Sequence, residues 1–146
     1  MGLGQSLLHR FEAGGFKAIG LVRSIPQQLI DLDLRQVDMT DVDNTTAIIN
    51  QAIVEYGTPQ VVIHNTAELI IKPFAQTQLS DFDRCWQSMV KSSIVLAQLV
   101  MTPMVQNGSG TFIVSGATAS LRGGSNFSAF ALAKFALRGL TQSLAR

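Results

Sequence analysis

The chain has 146 residues, 47% of them hydrophobic and only 14% charged, with a formal net charge of +1. A chain of this length can bury roughly two thirds of its unfolded surface, so a substantial core is available and a disordered tail is excluded. No block of five like charges occurs, which removes the electrostatic footprint of a nucleic-acid binder or a polybasic membrane patch. Cys85 is the single cysteine; it forbids an intrachain disulfide and a multi-thiolate zinc site and fits a reducing, cytoplasmic setting.

In chain order, a helix is expected over about 4–13, with Leu7, Leu8 and Phe11 on one stripe. The apolar run 18–22 reads as a strand covered on both faces. A shorter strand is expected near 34–38, and one helical turn between Ser24 and Asp33 is all that the intervening length allows. A helix over about 41–56 begins at Thr40 or Asp41 as its cap and stops at Gly57. The run 61–63 is a strand, and a helix over about 81–106 is capped by Ser80 or Asp81. A third apolar run at 112–114 precedes a last helix over about 126–146. Strand and helix alternate, so the fold class is α/β with a parallel sheet. The uncharged stretch 92–121 has the bulk hydropathy of a membrane span. It is interrupted by Gln98, Pro103, Gln106 and the turn Asn107-Gly108-Ser109-Gly110, and so reads as helix- and strand-sized pieces of a core. No secretory leader pattern opens the chain. Met1-Gly2-Leu3-Gly4-Gln5-Ser6 matches the loose myristoylation pattern, although the same glycines have a better reading as the end of a nucleotide loop.

That reading comes from Gly2-Leu3-Gly4 placed just before an amphipathic helix, where small residues let a backbone approach a pyrophosphate. About twenty residues on, where an acidic side chain would take the ribose hydroxyl of NAD, the strand ends Leu21-Val22-Arg23-Ser24. An arginine there suits a 2′-phosphate; a solvated strand-end arginine is the bland alternative.

The order of these segments resembles the short-chain dehydrogenase/reductase family over essentially the whole chain. Gly2-Leu3-Gly4 matches the end of that family's TGxxxGxG loop. Asp38-Met39 matches its adenine contact, and His64-Asn65-Thr66-Ala67 stands where the family has NNAG. Leu79-Ser80-Asp81-Phe82-Asp83-Arg84, Gly110-Thr111-Phe112-Ile113-Val114 and the final helix follow in family order. The resemblance implies a Rossmann-type, doubly wound parallel sheet in one partial dinucleotide-binding domain spanning 1–146. The first strand and the C-terminal strands are expected to lie outside this sequence.

It also implies hydride transfer between a nicotinamide, NADP(H) preferred over NAD(H), and a carbonyl or alcohol of a small molecule. The cofactor-binding positions carried over are Gly2, Leu3, Gly4, Arg23, Ser24, Asp38, Met39, Asn65, Ala67 and Lys134. Of the catalytic set only the lysine is present, as Lys134 in Phe130-Ala131-Leu132-Ala133-Lys134. Phe130, Ala117 and Met89 occupy the family's tyrosine, serine and asparagine positions. Tyr56, the sole tyrosine, stands at a helix end far away in order. A phenyl ring cannot act as a general acid, a role typically contributing about 10²–10⁴-fold. Ser115, Thr118, Ser120, Ser128, His64, or Lys134 acting through a water are the substitutes available, each with an ordinary structural reading beside it. For Lys134 that reading is an aliphatic stem carrying its ammonium out to solvent.

Other chemistries fail. Asp31, Asp33, Asp38, Asp41 and Asp43 lack the glycine and glutamate of a calcium loop, His9 and His64 make no metal pair, and no Gly-x-Ser-x-Gly elbow exists. No metal is expected. Helix 81–106 beyond Lys91, and helix 126–146, are apolar on every side, which predicts burial on every side. The resemblance implies a homodimer or tetramer through these two helices; cover by other parts of the domain is the alternative. A catalytically inactive NADP-binding or dimerising protein is the second functional reading.

Overall fold

The computed structural model describes residues 2–26 and 31–146. They form two compact units, 1–48 and 49–146. The helical turn expected between Ser24 and Asp33 falls on 27–30, outside the described residues.

In the first unit, helix α1 (Leu3–Ala13) starts from an extended Gly2 and leads into strand β1 (Ile19–Val22), which pairs in parallel with β2 (Asp33–Gln36). Leu8 of α1 and Leu34 of β2 close over Gly20 so tightly that a Cβ there would lie 2.8 and 2.6 Å from them. Helix α2 (Val42–Tyr56) follows and runs past the boundary at residue 48. Of the two caps the sequence offers, Asp41 is the one used: its carboxylate accepts from the Asn44 N–H at 3.0 Å.

The second unit holds strands β3 (Val61–His64) and β4 (Thr111–Val114), again parallel, with Val61 opposite Thr111 and His64 opposite Val114. The expected strands are therefore all present and parallel among the described residues, arranged as two pairs. Helix α3 (Leu79–Cys85) runs through a π-helical segment, Trp86–Lys91, into α4 (Ser92–Gln106). By length and composition this 28-residue run could cross a membrane, with mean hydropathy 1.4. Cys85, Met89 and Val90 of the run nevertheless pack into a core with Ile70 and with Ala129, Ala133 and Leu137 of α5 (Ser128–Leu144).

The start of α3 corrects the expected cap. Gln78 is the boundary residue, and Asp81 sits in the first turn and reaches back to the Gln78 N–H at 3.0 Å. The Lys72 ammonium donates to both Asp81 oxygens and, with the Gln78 N–H, holds that carboxyl below the usual carboxylate range. The Lys72 N–H in turn donates to Asn126 O at 2.8 Å. Asn126, at φ 67°, is the one non-glycine described residue in the left-handed region, a conformation its short amide side chain tolerates. That turn aims α5.

Burial of the long helices is one-sided. In α5 Ala129, Ala131, Ala133, Lys134 and Leu137 are buried, whereas Leu132 and Phe135 are 49% and 44% exposed. The expectation of burial on every side is therefore not met within this chain, because the packed elements cover only one stripe of each helix.

Candidate functional site

Parallel strands end at the same edge, so the residues that follow them are brought together without any local signal in the sequence. In the first unit, the Val37 N–H donates to Val22 O at 2.8 Å and the Gln36 amide donates to Arg23 O at 3.1 Å. This sets Arg23 and Asp38 at the carboxyl ends of β1 and β2. Both are exposed. The Thr40 N–H and hydroxyl donate to one Asp38 oxygen at 2.9 and 2.8 Å; these bonds, with Arg23 adding its charge, hold the Asp38 carboxyl below its usual range. Gly2 and Gly4 lie at the N-terminus of α1, Gly2 with open space where a side chain would be. Ser24 and Met39 stand beside Arg23 and Asp38 in sequence; Ser24 is exposed and Met39 partly so.

In the second unit, the carboxyl ends of β3 and β4 carry a chain of polar groups. The Ser115 N–H donates to His64 O at 2.9 Å, and the Ser115 hydroxyl donates to Asn65 Oδ1 at 2.7 Å. Lys134 Nζ, arriving from α5, donates to Ser115 O at 2.7 Å. Lys134 is 2% exposed, so its stem does not carry the ammonium to solvent. Burial pushes its pKa down. The ammonium lies 5.7 Å from the centre of the Phe130 ring, a cation–π contact in place of a hydroxyl. With one acceptor among the described residues, Lys134 has two further N–H bonds to offer, and the hydroxyls of a ribose would supply what they need. The residues present thus fit a nucleotide.

His64 is the second buried group. Ser92 Oγ gives its proton to Ser88 O at 2.6 Å, so the 2.8 Å contact with His64 Nε2 requires the imidazole to donate. Nδ1 is then left as a bare acceptor with no partner. Burial, and then the Lys134 charge, push the His64 pKa down to about 4, so the ring is neutral at physiological pH.

Beyond this layer, after the short 3₁₀ turn Thr118–Ser120, lies a cleft of about 550 Å³. Ala117, Thr118, Ala119, Arg122, Gly123, Gly124, Phe127 and Phe130 line it. Two of the three positions where the family resemblance requires polar groups, 117 and 130, face it with a methyl and a phenyl. The third, Met89, is fully buried in the core. Thr118 carries the only hydroxyl among the described lining residues. Ser120 spends its hydroxyl accepting from the Ala117 N–H at 3.1 Å, and Ser128 Oγ is buried without a partner. Sequence reasoning missed Arg122, Gly123, Gly124 and Phe127. The available signal was a lone cation inside a glycine-rich loop between two apolar elements. Among the described residues no group of three or more His, Cys, Asp or Glu gathers as metal ligands would.

Comparison with known proteins bears on the fold that carries these residues. The model of the short chain dehydrogenase family matches residues 2–146. A short-chain dehydrogenase from Rhodopseudomonas palustris superposes with a TM-score of 0.85 at 31% identity, covering 96% of this chain and 70% of that one. One from Streptomyces avermitilis superposes with a TM-score of 0.93 at 22% identity, covering 99% of this chain and 56% of that one. The 2-dehydro-3-deoxy-D-gluconate 5-dehydrogenase of Dickeya dadantii is 23% identical over 99% of this chain and 60% of its own length. The chain spans about half the length of the curated relatives it matches, from 41% to 60%. The two parallel pairs and their helices are thus a Rossmann-like α/β fold.

Proposed function

This chain belongs to the short-chain dehydrogenase family, and from that premise we propose that it is the dinucleotide-binding part of an NAD(P)-dependent oxidoreductase acting on a small-molecule carbonyl or alcohol. Its proton relay does not run through a tyrosine. The observation that carries this reading is the buried Lys134 ammonium at the end of β4, held by one carbonyl and otherwise short of acceptors. When bound, a nicotinamide cofactor supplies or accepts the hydride. By resemblance to the family, Lys134, Asn65 and Ala67 are the positions for the nicotinamide side, and Gly2, Leu3, Gly4, Asp38 and Met39 those for the phosphates and adenosine. Arg23 and Ser24, exposed at the end of β1, favour NADP(H), since a guanidinium pairs a 2′-phosphate in bidentate fashion. Structures sharing the fold have been solved with NADH and with NADP, so the fold admits both and the arginine is the discriminating residue.

Within the cleft, Thr118 positions a substrate oxygen by donating its hydroxyl, and the proton is held at Lys134 Nζ, whose lowered pKa eases its release through a water. Residues 1–146 act as one partial dinucleotide-binding domain. Two copies meet through helices 81–106 and 126–146, whose uncovered Trp86, Leu132 and Phe135 favour self-association in the cytoplasm. A second reading, an inactive NADP-binding or dimerising protein, is favoured by the inert pair Ala117 and Phe130.

The test is a calorimetric titration with NADPH and NADH, followed by turnover on a panel of ketones and aldehydes. NADPH is expected to bind about tenfold more tightly than NADH, worth about 1.4 kcal/mol. Slow NADPH-dependent reduction supports the first reading, and binding without turnover supports the second. Absence of nucleotide binding overturns both.

A further inference from the structure

The cleft beside Phe130 has a chemical character that neither the fold nor the inert positions 117 and 130 account for. Its volume, about 550 Å³, lies in the range of small-molecule sites. Phe127 and Phe130 put two aromatic side chains among its lining. Ala117, Ala119, Gly123 and Gly124 leave it narrow in side-chain bulk, with open space at Gly123 and 3.5 Å between a Cβ at Gly124 and the Phe127 ring. Among its described lining residues one is charged, Arg122. The Arg122 backbone is fixed by its N–H bond to Thr118 O at 3.1 Å, while its side chain has no hydrogen bond or ion pair among the described residues.

No carboxylate competes for it from the surrounding sequence. All ten acidic residues lie at or before Asp83, and the 63 residues from Arg84 to Arg146 carry six cations and no acidic side chain. Arg138 adds a second guanidinium nearby, donating to Ser120 O at 3.5 Å in the turn beside the cleft. A planar fork of donors matches a carboxylate in bidentate fashion, and phenyl walls favour a flat aromatic body.

We infer that the cleft takes a small aromatic carboxylate, with Arg122 holding the carboxylate and Phe127 and Phe130 stacking on the ring. This inference rests on the reading of the cleft as the substrate site of an oxidoreductase, and names the substrate class for it.

Calorimetry on the 146-residue chain tests it with 4-acetylbenzoate and its uncharged counterpart 4-acetylbenzamide as probes. The carboxylate is expected to bind about tenfold more tightly than the amide, the size of one charge-assisted pair. Arg122→Gln should erase that preference, and Arg122→Lys should keep part of it. Equal binding of acid and amide, or a preference that survives Arg122→Gln, overturns the inference. NADPH titrated into the same proteins keeps the two readings apart. Nucleotide binding without carboxylate preference sinks this inference alone. Carboxylate preference without nucleotide binding upholds the aromatic-acid site and sinks the nucleotide reading. Arg122 is exposed, so its substitution leaves the fold intact, which an unchanged thermal transition will show.

Discussion

Two layers at the carboxyl end of β4 differ in almost every physical respect. The inner layer is buried and polar: Lys134 on Ser115 O, Ser115 on Asn65, His64 on Ser92, each within 2.8 Å. The outer layer is an open cleft whose walls near the inner layer are the Ala117 methyl and the Phe130 ring. A buried ammonium is costly unless something compensates it, and here one carbonyl and one ring face provide the compensation. The inner layer therefore holds a buried cation with donors to spare, while positions 117 and 130 of the outer layer cannot exchange a proton. Substitutions can address the two layers one at a time.

The largest expected effect comes from making the outer layer resemble the inner. Joint replacement Ala117→Ser and Phe130→Tyr puts a hydroxyl at each of the two inert cleft positions. Carbonyl reduction with NADPH should rise by about 10²–10⁴-fold, the usual worth of a positioned general acid. A rate unchanged from the parent would mean that the remaining geometry is not competent.

Next is the pH response of the inner layer. His64 has a pKa of about 4 in the folded protein against an ordinary 6.5, so between these values the unfolded chain binds more protons. Stability is therefore complete above pH 6.5 and declines as pH falls toward 4, by about 3 kcal/mol for this one group. Urea unfolding at a series of pH values will show the slope, and His64→Gln should remove it.

Lys134→Met separates the two layers more finely. Exchanging a buried charge for a hydrophobe of similar volume should leave stability within about 1 kcal/mol of the parent. NADPH affinity should fall about tenfold with the lost charge-assisted bonds. Loss of folding together with binding would make Lys134 a structural residue only. The last effect, comparable in size, lies outside both layers. Gly20→Ala forces a Cβ to within 2.6 Å of Leu34 and 2.8 Å of Leu8 and should cost about 1–2 kcal/mol, read from the thermal transition, with no change in cleft ligand binding.

Much of this was legible from local pattern. The runs 18–22, 61–63 and 112–114 are too short and too continuously apolar to be surface helices, and each became a parallel strand. Asp41 was readable as a cap because its carboxylate acts only three residues away. The cap of α3 was misread by two to three residues, because Asp81 serves the helix from inside its first turn and owes its position to Lys72. The π-helical segment Trp86–Lys91 left no mark in the sequence, since its apolar spacing is that of an ordinary helix. The fate of Lys134 was undecidable from its neighbours, because a lysine on an apolar helix has the same sequence context whether its ammonium goes inward or out. Arg122 was overlooked for the same reason: a loop residue acquires meaning from what its loop faces.

The amino-acid sequence by itself determined which groups this protein owns: alternating strands and helices, no carboxylate after Asp83, one lysine where the motif places it, and a methyl and a phenyl that no folding can make acidic. The tertiary structure alone decided which of those groups meet. Lys134 reaches Ser115 from nineteen residues away and Asn65 meets Ser115 across fifty, contacts set by strand register and helix packing rather than by the residues alongside. Covalent chemistry travels with the chain; electrostatic environment depends on burial and neighbours, and those exist only once the chain is folded.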